Sequence, residues 1–247
     1  MAESHEANHM IPKALIEALR WMTILPMPQQ RDTIEPAAML PWLPVTGMVV
    51  GAALWAAVAL GGGYDPWLAA LLGTLMWFVL TGFLHADGLA DLTDAWMAAH
   101  AASPEQRQAR FLTILKDPHI GSFGVMVLIL LVLSKVILVY LVVQHGHAAW
   151  LFWIPIWARV GVLFWLKLPP LTQGSAAAMQ QSSQHHGMAW VLGLLLMALF
   201  GGSMLWLAPL FLWLWFQCLK RYIHGVNGDA LGAGIEYCEV CCLLLLL

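Results

Sequence analysis

Charge is scarce in this chain. Asp, Glu, Lys and Arg make up 10% of its residues against 61% hydrophobic, whereas soluble domains run near a quarter charged. An ordinary water-soluble globule is thereby excluded. The formal net charge of -3 is too small to imply nucleic acid or an acidic partner. The apolar stretches lack period-2 alternation, which excludes a closed barrel and leaves helices as the way to satisfy a backbone in lipid. The start, "MAESHEANHM", lacks the basic opening of a secretory signal peptide, so no cleaved leader is expected. Cysteines are few: Cys218, Cys238, Cys241 and Cys242 all fall near the C-terminus. Their spacing matches no paired zinc motif and offers no disulfide framework, so buried, inert thiols are expected.

What the chain does have is long hydrophobic runs. A helix crosses a bilayer with about 20 apolar residues. The segments that approach this length are Met39–Leu60, Trp67–Leu84, Phe123–Val143, Ala149–Lys167, Met188–Ala208, Pro209–Leu219 extended toward Tyr222, and Leu231–Leu247. Pro209 leaves open whether the fifth and sixth are two spans or one kinked pair. Ahead of them, "IPKALIEALRWMTILP" carries Lys13, Glu17 and Arg20 among apolar residues, the pattern of a helix lying in the membrane interface. The expected fold is therefore all-α: a polytopic membrane bundle of about seven transmembrane helices with an N-terminal interfacial helix, forming one domain over residues 1–247.

The sparse basic residues orient this bundle. Lys13, Arg20 and Arg31 precede the first span, Arg107, Arg110 and Lys116 separate the second and third, Lys167 follows the fourth, and Lys220 and Arg221 precede the last. The alternate connections "GGGYD" and "QHGHAA" hold no Lys or Arg. By the positive-inside rule the N-terminus and the three longer polar loops face the cytoplasm.

Against this background "TGFLHADGLADLTDAWMAAH", residues 81–100, stands out. As a helix it places Asp87, Asp91 and Asp94 at i, i+4 and i+7, on one face. Stacked carboxylates repel one another, and a hard divalent cation such as Mg²⁺ removes that penalty while leaving positions for substrate phosphates. A solvated acidic face is the alternative. The apolar neighbours Leu89, Ala90, Leu92, Ala95 and Trp96 favour metal, as does Gly88, which costs helix stability with no structural return visible in the sequence.

"HGVNGDALGAGIEYCEV" adds Asn227 and Asp229 at the mouth of the last span, then Glu236 and Glu239 inside it. A carboxylate at mid-membrane costs about 2.5–3.5 kcal/mol, so such residues face a cavity or a partner. Lys135 and Arg159, each well inside a span, are the available bases. Two readings stand side by side: buried ion pairs that fix helix packing, or a polar cleft open to the cytoplasm that accepts a phosphorylated ligand. "LKDPHIGSFG" supplies Asp117 and His119 on a turn-rich loop, where Pro118, Gly121 and Gly124 let the backbone approach another group closely, a phosphate for example. His85 points away from the aspartate face on an ideal helix and joins it only if the chain is extended there. His185 and His186 belong to a Gln/Ser-rich loop and read as solvated.

"GFLHADGLADLTDA", "KDPHIGSFG" and "NGDALGAGIEYCE", in this order and spacing, resemble the cobalamin (5'-phosphate) synthase family, also called adenosylcobinamide-GDP ribazoletransferases. "LPMP", "LPWLPVTGMVVGA", Lys135 and Arg159 extend the resemblance over nearly the whole chain. Two departures are visible. Ile24 stands where the family carries an arginine, and "KLPPLTQGSAAAM" lacks one, leaving Arg20 and Lys167 as candidate substitutes. The resemblance implies a transferase of the bacterial inner membrane that joins adenosylcobinamide-GDP to alpha-ribazole or its 5'-phosphate and releases GMP, with Mg²⁺ as cofactor. It implies metal ligands in Asp87, Asp91, Asp94 and Asp229, and catalytic roles for Asp87, Asp91 and Asp94 with Asp117 and His85. Substrate contacts would come from Lys135, Arg159, His119, Asn227, Asp229, Glu236 and Glu239. A homo-oligomer and association with other enzymes of the pathway are left open.

Two rivals share features. CDP-alcohol phosphotransferases also set aspartates on membrane helices, but their Asp-Gly-x-x-Ala-Arg opening is not reproduced by "DGLADLTD". Divalent-cation transporters carry acids near the midplane on broken helices, whereas the densest acidic motif here lies at a span end.

Overall fold

The structure, a computed structural model, describes residues 3–28, 34–180 and 186–247. Arg31 and His185 lie outside the described residues. In chain order the α-helices are α1 Glu3–Met22, α2 Leu43–Gly62, α3 Pro66–Leu80, α4 Leu84–His100, α5 Arg107–Ile114, α6 Ser122–Gln144, α7 Ile154–Trp165, α8 Ser175–Met179, α9 His186–Phe200, α10 Ala208–Cys218 and α11 Gly228–Leu244. A 3₁₀ segment, Pro36–Trp42, leads into α2; another, Ala148–Trp153, leads into α7. A π-helical turn, Leu219–Ile223, extends α10. No strand occurs among the described residues. A lone bridge between Pro170 and Val226 ties the segment after α7 to the one before α11.

Three continuous helical stretches are long and apolar enough to cross a membrane: Pro36–Gly62, Ser122–Gln144 and Ala148–Trp165. They match the first, third and fourth expected spans within a few residues. The second is broken. Gly82 and Phe83 both take left-handed backbone, φ 59°, and α4 leaves α3 at an angle of 80°. α4 therefore does not continue the direction of α3.

Of the remaining expected spans, the fifth is cut short: α9 ends at Phe200, before the expected Ala208, whereas α11 has the length expected of the last. The break after α9 falls at Gly201–Ser203, with Gly202 at φ 74°, and not at Pro209. Proline fits without penalty in the first turn of a helix, where its missing N–H is not needed; Pro209 occupies that place in α10. The fold is thus all-helical among the described residues, with three candidate membrane-spanning helices, or four with the bent pair.

The outer surface is of the kind that suits lipid. On α6, Met126, Ile129, Leu130 and Leu133 are exposed, and little of that helix is buried in the bundle. Such a face is unfavourable in water and neutral in hydrocarbon. α11 is the opposite case. Ala230 through Glu236 are nearly all enclosed, because α4, α6, α7 and α10 all pack against this helix.

Candidate functional site

α4 and α11 meet at Gly88. A Cβ there would lie 2.9 Å from the Asp229 Cα and 3.0 Å from its carbonyl oxygen, so only glycine permits the approach. This is the structural return that the sequence did not disclose. The contact brings Asp229, in the first turn of α11, beside the aspartate face of α4. Asn227 caps α11: its Oδ1 accepts from the Ala230 N–H at 3.0 Å, and its Nδ2 donates to Asp229 Oδ2 at 2.7 Å. Asn227 thereby orients the acid two residues on.

Asp87, Asp91 and Asp229 act on one another electrically. Asp91 is half-buried, with the charges of Asp87, Asp229 and Asp94 close enough to act on it. Asp229 is likewise half-buried and within reach of the Asp87 charge. Among the described residues none of these three acids is in an ion pair. Nor do three or more His, Cys, Asp or Glu side chains converge there closely enough to form a ready metal cage.

Asp94 is otherwise engaged. Its Oδ2 accepts from Gly121 N–H at 2.7 Å and its Oδ1 from Gly124 N–H at 2.9 Å, satisfying donors at the start of α6. A Cβ at Gly121 would lie 2.5 Å from Asp94 Oδ1. The close approach expected of this glycine-rich loop is made to Asp94. Asp117 and His119 bond each other, Nδ1 to Oδ1 at 2.7 Å, with both side chains well exposed. Hydrogen bonds from the His119 side chain and backbone hold the Asp117 carboxyl below its usual range. Asp117 is not among the charges acting on Asp91.

The inner acids and bases pair with one another, while Arg159 Nε and Nη2 are left without partners. Lys135 Nζ lies 2.5 Å from Glu236 and 2.6 Å from Glu239. Arg159 Nη1 donates to Glu239 and also to the Pro155 carbonyl at 3.3 Å. Lys135 further stands over the Trp77 and Phe78 rings, 4.2 and 4.8 Å from their centroids, a cation–π arrangement. Lys135, Arg159 and Glu239 are entirely buried and Glu236 nearly so. An open polar cleft at these residues is not what the structure has. The two bases and two acids neutralise one another inside the α6–α7–α11 contact.

His85 corrects another expectation. The chain is helical there, and the imidazole is buried, with Nε2 unpartnered. It does not join the aspartate face. The α4–α11 contact encloses it, since a Cβ on Gly232 would lie 3.2 Å from the His85 Cα.

Arg20 pairs with Glu17 at 2.7 Å and Lys167 stands 5.0 Å from the Phe164 ring centroid, so each base already has a neighbour of its own. Ile24 is exposed beside the α3–α4 bend, its N–H bonded to the Leu80 carbonyl at 2.9 Å. Cys238 and Cys242 are buried with their sulfurs 3.9 Å apart, as free thiols. The sequence assigns no ligand-binding role to Trp96, Arg107, Arg221 and Tyr222, which border a cavity beyond this face. The signal for the two arginines was the basic character of the polar loops, which by itself speaks only of orientation; Trp96 and Tyr222 carried none.

Comparison with known proteins adds an independent line. A family profile described as cobalamin-5-phosphate synthase matches residues 14–247. An adenosylcobinamide-GDP ribazoletransferase from Thiobacillus denitrificans is 42% identical over 242 residues, covering 94% of each chain. One from Laribacter hongkongensis is 45% identical over 240 residues, covering 94% of this chain and 96% of the relative. One from Novosphingobium aromaticivorans is 39% identical over 239 residues, covering 94% and 95%. No solved structure matches.

Proposed function

Because the chain belongs to the cobalamin-5-phosphate synthase family, we propose that it joins adenosylcobinamide-GDP to alpha-ribazole or its 5'-phosphate and releases GMP. The observation that supports a site for this reaction is the meeting of Asp229 with Asp87 and Asp91 across the Gly88 contact. These carboxylates are uncompensated, partly accessible and all-oxygen.

That donor set suits Mg²⁺, which binds through one or two carboxylates, several waters and substrate phosphates and seldom through a closed protein cage. Asp87, Asp91 and Asp229 would hold it, and when bound it supplies charge neutralisation for a diphosphate. Asp94 sets the position of the α6 start against α4 and so the shape of the site. The 3'-hydroxyl of alpha-ribazole forms a bond to the cobinamide-linked phosphorus as the bond to the GMP oxygen breaks. A carboxylate of the same face takes the hydroxyl proton. Such transfers depend chiefly on positioning and neutralisation. Lys135, Arg159, Glu236 and Glu239 serve the reaction by locking α11 against α6 and α7.

The same reading sets the chain in a bacterial inner membrane. α1 lies in the interface, the bent pair and the short helices α9, α10 and α11 complete seven crossings, and the acidic face turns to the cytoplasm. The charge bias of the connections supports this orientation.

An assay of the purified chain with adenosylcobinamide-GDP, alpha-ribazole 5'-phosphate and Mg²⁺, scored for GMP, tests the proposal. Chelation of divalent cations should stop GMP formation reversibly. Asp91→Asn should abolish it while the protein still inserts and folds; full activity in that variant would remove the α4 face from the mechanism.

A further inference from the structure

Beyond the aspartates, the C-terminal end of α4, the start of α5 and the turn before α11 enclose a cavity of about 500 Å³. Its polar lining is basic: Arg107 and Arg221, with His100 and His224, and no Asp or Glu among the lining residues. In a chain with 14 acidic residues and 11 Lys and Arg, that is a local inversion of charge. Both arginines are exposed, and neither is in an ion pair among the described residues.

Three aromatic rings, Trp96, Phe111 and Tyr222, stand in the rest of the wall. Trp96 and Tyr222 meet edge to face, centroids 5.8 Å apart at 87°, and Phe111 adds a buried ring. Gln108 contributes an amide that both donates and accepts. His224 holds left-handed backbone, φ 62°, a conformation costly for a residue with a Cβ. It closes the π-helical turn that carries Arg221 and Tyr222 on the rim.

Aromatic faces beside two guanidinium groups and a donor–acceptor amide match a nucleotide: the base stacks and the phosphates take charge-assisted bonds. We infer that this cavity holds the guanosine phosphate part of the activated substrate, and GMP before it leaves. The inference rests on the proposed reaction. Two arginines match a diphosphate, and Gln108 can pair with the edge of guanine, whereas a benzimidazole offers no such donor–acceptor edge. The placement agrees. Trp96 follows Asp91 by five residues, about 7.5 Å of helix rise, and Asp229 follows His224 by five. Both segments run from the cavity to the acidic face.

Equilibrium binding of GMP to the purified full chain in nanodiscs of zwitterionic lipid tests this. Wild type should bind GMP, and inorganic phosphate should compete only weakly. Arg107→Ala with Arg221→Ala should weaken GMP binding about tenfold or more, the loss expected for charge-assisted bonds. Trp96→Leu should weaken it independently of charge. The single arginine variants, both at exposed positions, serve if the double variant fails to fold. Several outcomes would overturn the inference: no GMP binding by wild type, unchanged affinity in the arginine variants, equal affinity for phosphate and GMP, or variants that lose only adhesion to vesicles containing phosphatidylglycerol. The last would make the arginines a lipid-headgroup site. The reaction itself fails separately, if wild type releases no GMP from adenosylcobinamide-GDP. Normal turnover with unchanged GMP binding in the variants sinks the cavity alone.

Discussion

Glu239→Gln isolates what the buried network does. The side chain keeps its shape and loses its charge, so two bases share one acid, Glu236, in a region with no access to water. Lys135 is cushioned by Glu236 at 2.5 Å and by the Trp77 and Phe78 rings. Arg159 is not: its other nitrogens, Nε and Nη2, already lack partners. Removing one member of a buried pair costs about 3–5 kcal/mol, and the remaining support for Lys135 places the loss near 3 kcal/mol. The double change Arg159→Met with Glu239→Leu removes both charges and fills similar volume, so it should fall within about 1 kcal/mol of wild type. A double-mutant cycle built with Glu239→Leu alone and Arg159→Met alone should then show coupling of about 2–3 kcal/mol. Equilibrium unfolding from mixed micelles, followed by circular dichroism, reads these values, with GMP release measured in parallel. If Glu239→Gln unfolds within about 0.5 kcal/mol of wild type yet loses activity, the network binds ligand and the packing argument is wrong.

Two further outcomes follow from close contacts. Gly88→Val should cost about 1–3 kcal/mol and most of the GMP release, because the new Cβ meets Asp229 backbone that cannot rotate away; a stable, active variant would show that α4 and α11 are not so tightly apposed. Asp94→Ala should cost about 1–2 kcal/mol, the loss of a helix cap, read as lowered thermal stability, and Asp94→Asn should recover part of it. Unchanged stability with weakened cation binding would make Asp94 a ligand and not a cap.

The helical, membrane-type character of the chain was legible because it depends on sums over many residues. Three of the expected spans recur within a few residues, since uninterrupted apolar length is a local property. The broken second span was not legible. Its bend rests on left-handed backbone at Gly82 and Phe83, and nothing in Phe83 itself announces φ 59°. Pro209 looked like the breaking point near α10, yet a proline in a first helical turn breaks nothing, and Gly201–Ser203 does it instead. The aspartates were visible as a face, but their separate duties were not: Asp94 spends both oxygens on α6, a segment some thirty residues on.

What the amino-acid order decided alone is a helical, apolar chain with too few charges for an ordinary soluble globule, and the grouping of its carboxylates in two short stretches. Which acids stay free and which are consumed was decided only when the helices packed. Asp229 reaches Asp87 and Asp91 because Gly88 lets two backbones touch, and Glu239 is silenced because Lys135 and Arg159 arrive from two other helices. Pairing energies depend on distance and dielectric, and neither exists in a sequence until distant segments share a boundary.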